Sequence, residues 1–147
     1  MKFTLIIDPE KDEEILATVH QRSLLTDQIE QLVLWQTGTD RIPAYTEEDM
    51  KMLPFTDIEC ITVQQGKTLA IASNGVSYRL KFRLYELESL LPGCFIRINK
   101  SAIANETHLD RFQASFSGAL DAIFKSGYRE YVSRRCFAQI KRRFDEK

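Results

Sequence analysis

Histidine and cysteine are scarce and scattered in this sequence. The two histidines, His20 and His108, have no Ser, Cys or second His at the spacing of a catalytic triad or a metal site. The three cysteines, Cys60, Cys94 and Cys136, are odd in number and never form a Cys-x-x-Cys pair. We therefore expect no catalytic residues, no metal site and no disulfide framework, and we interpret the cysteines as reduced thiols of a cytoplasmic protein.

Long apolar runs and glycine-rich phosphate loops are also absent. No run approaches the roughly 20 apolar residues that a membrane helix needs, and Met1–Pro9 has the pattern of a first strand rather than of a signal peptide. Neither nucleotide-binding glycine motif occurs. A hydrophobic fraction of 44% nevertheless provides a core. These features predict a folded protein that is not an enzyme, with no cofactor and no small-molecule substrate.

The charge is unevenly divided along the chain. Residues 1–50 contain 4 Lys and Arg against 11 Asp and Glu, a balance of −7, whereas residues 51–147 contain 16 against 10, a balance of +6. Such a division is typical of a nucleic-acid-binding part joined to an acidic part, although soluble proteins also show it by chance.

The acidic part, residues 1–49, has the pattern of a small α/β unit. Lys2–Ile7 predicts a strand, and Asp8 followed by Pro9 predicts the capped start of a helix. A second helix, ended by Gly38, follows from the apolar residues Leu25, Ile29, Leu32 and Val33. Residues 41–46 are predicted to be extended around Pro43.

Residues 50–147 predict a mainly β domain made of short antiparallel strands. Turn pairs such as Gln65-Gly66 and Asn74-Gly75 separate the alternating runs, because glycine supplies the positive φ that tight hairpins need. One mid-domain helix is expected over Arg83–Leu91 and a C-terminal helix from Ser133. The predicted strands are Met50–Leu53, Ile58–Val63, Lys67–Ala72, Val76–Phe82, Cys94–Asn99, Arg111–Phe116, Ala119–Phe124 and Arg129–Val132.

Basic side chains are found at the ends of these elements, where a rigid sheet presents residues to a ligand. Asn99-Lys100-Ser101 follows a strand and combines groups suited to phosphates with groups suited to base edges. Ser133-Arg134-Arg135 does the same at the positive end of a helix, which favours phosphate. Lys67 follows the Gln65-Gly66 turn. The predicted DNA-binding residues are Lys100, Arg135, Arg134, Lys67, Gln65, Asn99, Ser101 and Ser133.

The segment Phe95–Asn105 resembles the signature of the LytTR-type DNA-binding domains of bacterial response regulators. It has an aromatic residue, an arginine, a short polar pair, a serine and an apolar stretch that ends in asparagine. Pro54–Ile61 resembles the opening strand and turn of that family, Leu84–Leu91 its helix, and Tyr131–Phe137 its closing strand and helix start. The resemblance covers about residues 50–144.

The resemblance implies an elongated fold of small stacked antiparallel sheets, with loops that enter successive major grooves of direct-repeat DNA sites. The family's DNA-contacting positions fall on Lys100 and Arg135, and a third lies in the hairpin near Gln65, Gly66 and Lys67. That hairpin lacks the histidine of many family members. Fifty N-terminal residues are also too few for the family's usual phosphorylatable receiver. The acidic unit is therefore expected to dimerise the protein or to contact a membrane-bound regulatory protein.

Two hypotheses follow from the sequence. The first is a bacterial, cytoplasmic, homodimeric transcription regulator that reads double-stranded DNA in a sequence-specific manner. The second is a protein-interaction module whose basic half binds an acidic partner, such as the acidic half of another copy.

Overall fold

A computed structural model describes residues 1–37, 40–115 and 118–145 of the chain. Within these residues, three helices and ten strands are connected by hairpins and by two short 3₁₀ turns, at Phe55–Asp57 and Glu106–His108. In chain order the elements are α1 Leu24–Thr37, β1 Arg41–Tyr45, β2 Met50–Pro54, β3 Ile58–Gln64, β4 Lys67–Ala72, β5 Ser77–Leu80, α2 Leu84–Leu90, β6 Phe95–Asn99, β7 Ala102–Asn105, β8 Leu109–Ala114, β9 Leu120–Phe124, β10 Arg129–Val132 and α3 Arg134–Asp145.

Seven strands form the larger sheet, in the order β2-β1-β5-β4-β3-β7-β6, and three form the smaller one, in the order β10-β9-β8. Each pair is antiparallel. The expected fold is thus confirmed: a mainly antiparallel β domain with one mid-domain helix and a C-terminal helix. The larger sheet has more strands than the small sheets that were expected, because β1, which lies within residues 1–49, also joins it. The division at residue 49 stays a prediction.

The central strands β3, β4 and β7 of the larger sheet are largely buried on both faces, so their side chains alternate between two cores, whereas β2 and β5 have one exposed face. On β7, Ile103 belongs to the core beneath α2, whereas Ala102 and Ala104 face the smaller sheet and α3. The second core is closed by Phe124 of β9 and Ile140 of α3, at 1% and 4% exposure. This packing explains why several strands have continuous apolar runs rather than an alternating pattern.

A buried carboxylate joins the two sheets at one end. Glu59 of β3 is 1% exposed. It accepts hydrogen bonds from the hydroxyl of Ser126 and, at 3.3 Å, from the backbone N–H of the same residue. His108 Nδ1 lies 3.7 Å from its second oxygen. These partners offset the cost of burying the carboxylate and fix the β9–β10 turn against the larger sheet.

Residues 1–23 contain neither helix nor strand and are exposed almost throughout. The strand predicted over Lys2–Ile7 and the helix predicted from Pro9 are therefore wrong for the isolated chain. A single strand has no neighbour to satisfy its backbone groups, so its pattern alone does not form a sheet. Asp8 caps only one turn, in which its carboxylate accepts from the N–H of Glu10 at 3.1 Å.

The second predicted helix is confirmed as α1. Ser23 and Thr26 cap its start reciprocally, and the Thr26 hydroxyl oxygen accepts from the Ser23 N–H at 2.9 Å. Glu30 attaches the helix to the β domain by accepting from the N–H of Gly93 at 2.7 Å and from Arg22 at 3.0 Å. The predicted end at Gly38 lies outside the described residues.

Within the described ranges, no helix combines the length and the apolar character needed to cross a lipid bilayer.

Replacing Phe124 with alanine should lower the free energy of unfolding by about 3–5 kcal/mol, since it leaves a cavity in the core between the sheets. Urea unfolding followed by circular dichroism measures the change. Tyr85→Ala is the control, because Tyr85 is 68% exposed on α2 and its loss should change stability by about 0.5 kcal/mol or less. Equal midpoints for the two variants would contradict the described core.

Candidate nucleic-acid interface

Three segments that carry the predicted DNA-binding residues lie at one end of the larger sheet. They are the β3–β4 turn at residues 65–67, the β6–β7 loop at 99–101 and the start of α3 at 133–135. The register shows why they meet: β3 ends where β7 begins, with Thr62 opposite Ala102, and β6 ends at Asn99. We call these three segments together the basic end.

Hydrogen bonds tie the three segments into one unit. Val63 N–H, beside the β3–β4 turn, donates to Ser101 O at 2.8 Å. Ser133 N–H donates to Ile98 O at 2.9 Å, which fixes the start of α3 beside the exit of β6. The relative positions of Lys67, Lys100 and Arg135 are therefore set by backbone contacts rather than by the loops alone.

Asn99 is the central connection of this unit. Its side-chain N–H₂ donates to Tyr131 O at 2.6 Å, and its side-chain oxygen accepts from Ser101 N–H at 2.6 Å. The residue is 6% exposed. In this conformation its amide is occupied within the chain and connects two segments of the basic end. The predicted contact of Asn99 with DNA stays a prediction.

Arg97 also supports the Lys100 loop, and sequence reasoning missed it. Its guanidinium donates to Asn99 O at 2.9 Å and to Lys100 O at 2.7 Å, and it pairs with Glu88 of α2. Arg97 thereby holds the loop through two of its backbone carbonyls, in addition to the contacts of the Asn99 side chain. The sequence feature that could have identified Arg97 is its position in β6 between the buried Ile96 and Ile98. A charged residue two positions before the end of such a strand needs polar partners nearby.

The β3–β4 turn is tight and fully exposed. Gln65 and Gly66 have φ values of 54° and 75°, the pair of positive values found in a type I′ hairpin turn. Positive φ is unusual for glutamine. The turn projects Gln65 and Lys67 into solvent beyond the end of the sheet.

Ser133 begins α3, as predicted. Its hydroxyl accepts from Cys136 N–H at 3.2 Å, and its carbonyl accepts from Phe137 N–H at 2.9 Å. The hydroxyl thus acts as an N-cap, while Arg134 and Arg135 are exposed in the first turn. Both guanidinium groups lie beside the positive end of the helix dipole, an arrangement that suits phosphate.

The basic end presents four exposed cations that form no ion pair with another described residue. These cations are Lys67, Lys100, Arg134 and Arg135. Ser101, by contrast, is half-buried and already bonded through its backbone on both sides. An exposed, rigidly held cluster of cations favours a polyanion as ligand.

Lys81 extends this surface and was also missed. It follows β5, whose last residue Leu80 pairs with Thr68, so it lies at the same end of the sheet as Lys67. Its ammonium lies 4.4 Å from the centre of the Tyr45 ring. The ring holds the charge in place without neutralising it.

The acidic helix α1 lies at the other end of the sheet. Asp27 and Gln28 border an apolar cavity of about 330 Å³ against Phe55, Cys94 and Asn105, which lie where β3 and β6 begin and β7 ends. Helix α1 and the basic end are thus separated by the length of these strands.

Comparison with known proteins identifies a family for most of the chain. The sequence profile of the LytTr DNA-binding domain matches residues 48–145. A protein of Staphylococcus aureus strain MSSA476, named as an HTH-type transcriptional regulator, is 30% identical over 146 residues, or 97% of each chain. A protein with the same kind of name from strain NCTC 8325 is 29% identical over the same share.

A solved structure shares the fold. It is described as the LytTr DNA-binding domain of a methyl-accepting/DNA response regulator from Bacillus cereus. The TM-score is 0.65 at 23% identity, and the match covers 71% of this chain and 96% of that chain. This chain therefore shares its sheet architecture with a solved LytTr domain.

Asn99→Ala should lower the free energy of unfolding by about 1–3 kcal/mol, because Tyr131 O and Ser101 N–H then lose their partner in a buried setting. Urea denaturation measures the change, with Gln64→Ala as the exposed control. An Asn99→Ala protein with the midpoint of the wild type would show that the amide does not hold the basic end together.

Proposed function

The chain belongs to the LytTR family of DNA-binding domains, and from that premise we propose that it is a transcription regulator that reads direct-repeat DNA sites through loops in the major groove. The family and the relatives support a DNA-binding regulator and not an enzyme. The reading of direct repeats by loops is supported by the basic end, where three segments joined by hydrogen bonds expose four cations that form no ion pair among the described residues.

Within this proposal the residues have different roles. Lys100 and Arg135 extend from the two segments that Asn99 connects, and they contact base edges. Arg134 and Lys67 contact phosphates, and Gln65 reaches the groove from the turn. Ser101 and Ser133 position the loop and the helix start, as does Asn99, through hydrogen bonds within the chain.

Loops, rather than a helix pair, are the reading elements of this proposal. The relatives are named as HTH-type regulators. In the described part of this chain, however, strands β1–β5 separate α1 from α2, and β6–β10 separate α2 from α3. A helix-turn-helix needs two helices joined by a short turn, so α3 contributes its first turn rather than a recognition helix.

We further propose that the protein acts as a homodimer in the bacterial cytoplasm. Two copies suit a site with two repeats, since binding to one repeat raises the effective concentration at the second. A membrane-bound regulatory partner stays a prediction from the sequence.

Lys100→Ala and Arg135→Ala should each weaken binding to a cognate duplex by about 1–3 kcal/mol, or roughly 5- to 150-fold in Kd, and relax sequence preference. Arg134→Ala should weaken all duplexes alike and reduce the log–log salt slope by about one. Titrations by fluorescence anisotropy at several salt concentrations measure both effects.

Lys125→Ala is the matched control, because Lys125 is exposed in the β9–β10 turn at the other end of the sheet. If it weakened binding as much as Lys100→Ala, the effect would be one of net charge, and the assigned surface would be wrong.

Selection of random duplexes on the purified protein at two salt concentrations should enrich a repeated motif whose halves lie about 10 bp apart, or a multiple of this, because equivalent loops then meet the same side of the helix. Recovery of unselected sequence alone would contradict sequence-specific reading. Salt-sensitive self-association without retention of DNA would instead support the interaction-module hypothesis.

A further inference from the structure

The first residues of the chain carry an apolar surface with no partner in the isolated protein. Phe3, Leu5 and Ile7 are 86%, 71% and 86% exposed, although they alternate with Lys2, Thr4 and Ile6 in the pattern of a half-buried strand. Exposed side chains of this size, contiguous in sequence, usually mark an interaction site. A strand also needs a neighbour for its backbone groups, and in the described structure this segment belongs to neither sheet.

The sequence of this segment is complementary to itself in one antiparallel register. With Leu5 opposite Leu5 of a second copy, Phe3 faces Ile7, Thr4 faces Ile6 and Lys2 faces Asp8. Apolar residues then share one side of the ribbon, and two pairs of opposite charge close its ends. Cross-strand pairs of both kinds stabilise antiparallel ribbons.

Other registers fit less well. A parallel, in-register pair sets Lys2 against Lys2 and Asp8 against Asp8, and like charges directly opposite are destabilising. Moving the antiparallel pair by two residues in one direction places Pro9 opposite Phe3, where proline supplies no N–H to the ladder. Moving it the other way places Lys2 opposite Ile6 and removes its pairing with Asp8.

The same chain offers a surface to cover the apolar side of such a ribbon. An open groove of about 510 Å³ runs between residues 15–22 and α1, and its apolar lining includes Ile15, Val19 and Ile29. An isolated two-stranded ribbon is marginal in water, but one packed on helices is stable.

We propose that a second copy of this chain is the occupant: residues 2–8 of two copies pair antiparallel about Leu5, and their shared apolar side packs on the groove beside each α1. The proposal rests on the homodimer proposed above and assigns its interface. It also explains why the strand predicted at Lys2–Ile7 is missing from a single chain, since its pairing partner is another molecule.

Cysteine cross-linking of the full chain tests the register directly. Leu5→Cys should give a covalent dimer under mild oxidation, because directly opposite Cα atoms lie about 4.5–5.5 Å apart, within disulfide range. Phe3→Cys alone should not, since two copies of position 3 are separated by about 13 Å along the ribbon. A mixture of Phe3→Cys and Ile7→Cys should cross-link.

The natural cysteines leave this readout clear. Cys60 and Cys94 are buried, and burial raises the pKa of both thiols, to about 11 for Cys94. The wild-type protein oxidised in parallel reports any background from Cys136. Absence of a Leu5→Cys dimer, or a dimer from Phe3→Cys alone, would overturn the register. Cross-linking of Leu5→Cys to Met52→Cys would instead assign the open edge of β2 as the partner.

A charge exchange provides the matched pair of variants. In sedimentation velocity, Lys2→Glu should shift the protein from dimer towards monomer, because Glu would face Asp8 of the second copy, and Lys2→Glu with Asp8→Lys should restore the dimer. Leu5→Asp should give monomers. A monomeric wild type, or a dimer unchanged in all three variants, would overturn the proposal.

Binding to a duplex with a single repeat separates this inference from the proposed function. Leu5→Asp should bind that duplex with the affinity of the wild type, whereas Lys100→Ala should lose affinity. If single-repeat binding persists and no variant changes the oligomeric state, the interface assignment fails alone. If the dimer behaves as expected but Lys100→Ala has no effect on DNA binding, the reading surface fails alone.

Discussion

The arrangement of the basic end depends on one buried amide, the side chain of Asn99. It connects the exit of β6 to Tyr131, just before α3, and at the same time closes the loop that contains Lys100. Two exposed cations on different elements, Lys100 and Arg135, thus share a reference point. A buried amide with both functions satisfied is a rigid connection, since breaking either bond leaves a polar group without a partner. Loops held in this way keep their geometry without a ligand, which lowers the entropy cost of binding.

Local signals in the sequence predicted most of the β domain. The turns at Gln65-Gly66 and Asn74-Gly75 and the strand at Lys67–Ala72 are encoded by neighbouring residues, and they are observed close to the predicted positions. The strand predicted at Lys2–Ile7 is not observed for the opposite reason, because a strand is stabilised by pairing that lies outside its own sequence. Arg97 was missed because its role comes from Glu88 and from two carbonyls of the following loop, contacts that only the folded chain brings together.

The sequence predicted which residues gather at the candidate site, but it did not predict which of them are buried and bonded within the chain and which are exposed. Sequence position groups Asn99, Lys100 and Ser101, whereas burial separates them into an internal amide, an exposed ammonium and a half-buried serine. Ser133 likewise is occupied as a helix cap, while Arg134 and Arg135 beside it remain in solvent. Residue type alone does not distinguish these cases, because asparagine and serine serve equally well as contacts to nucleic acid and as internal hydrogen-bond partners.

The location of α1 at the far end of the larger sheet has a consequence for the charge of that end. Asp27 and Glu30 of α1 both pair with Arg22. Gly93, whose N–H donates to Glu30, accepts from Arg143 in the basic last turn of α3. The carboxylates of α1 are thus balanced by cations at their own end of the sheet. Because salt screens exposed charges beyond about 10 Å, α1 has little electrostatic effect on the cations of the basic end.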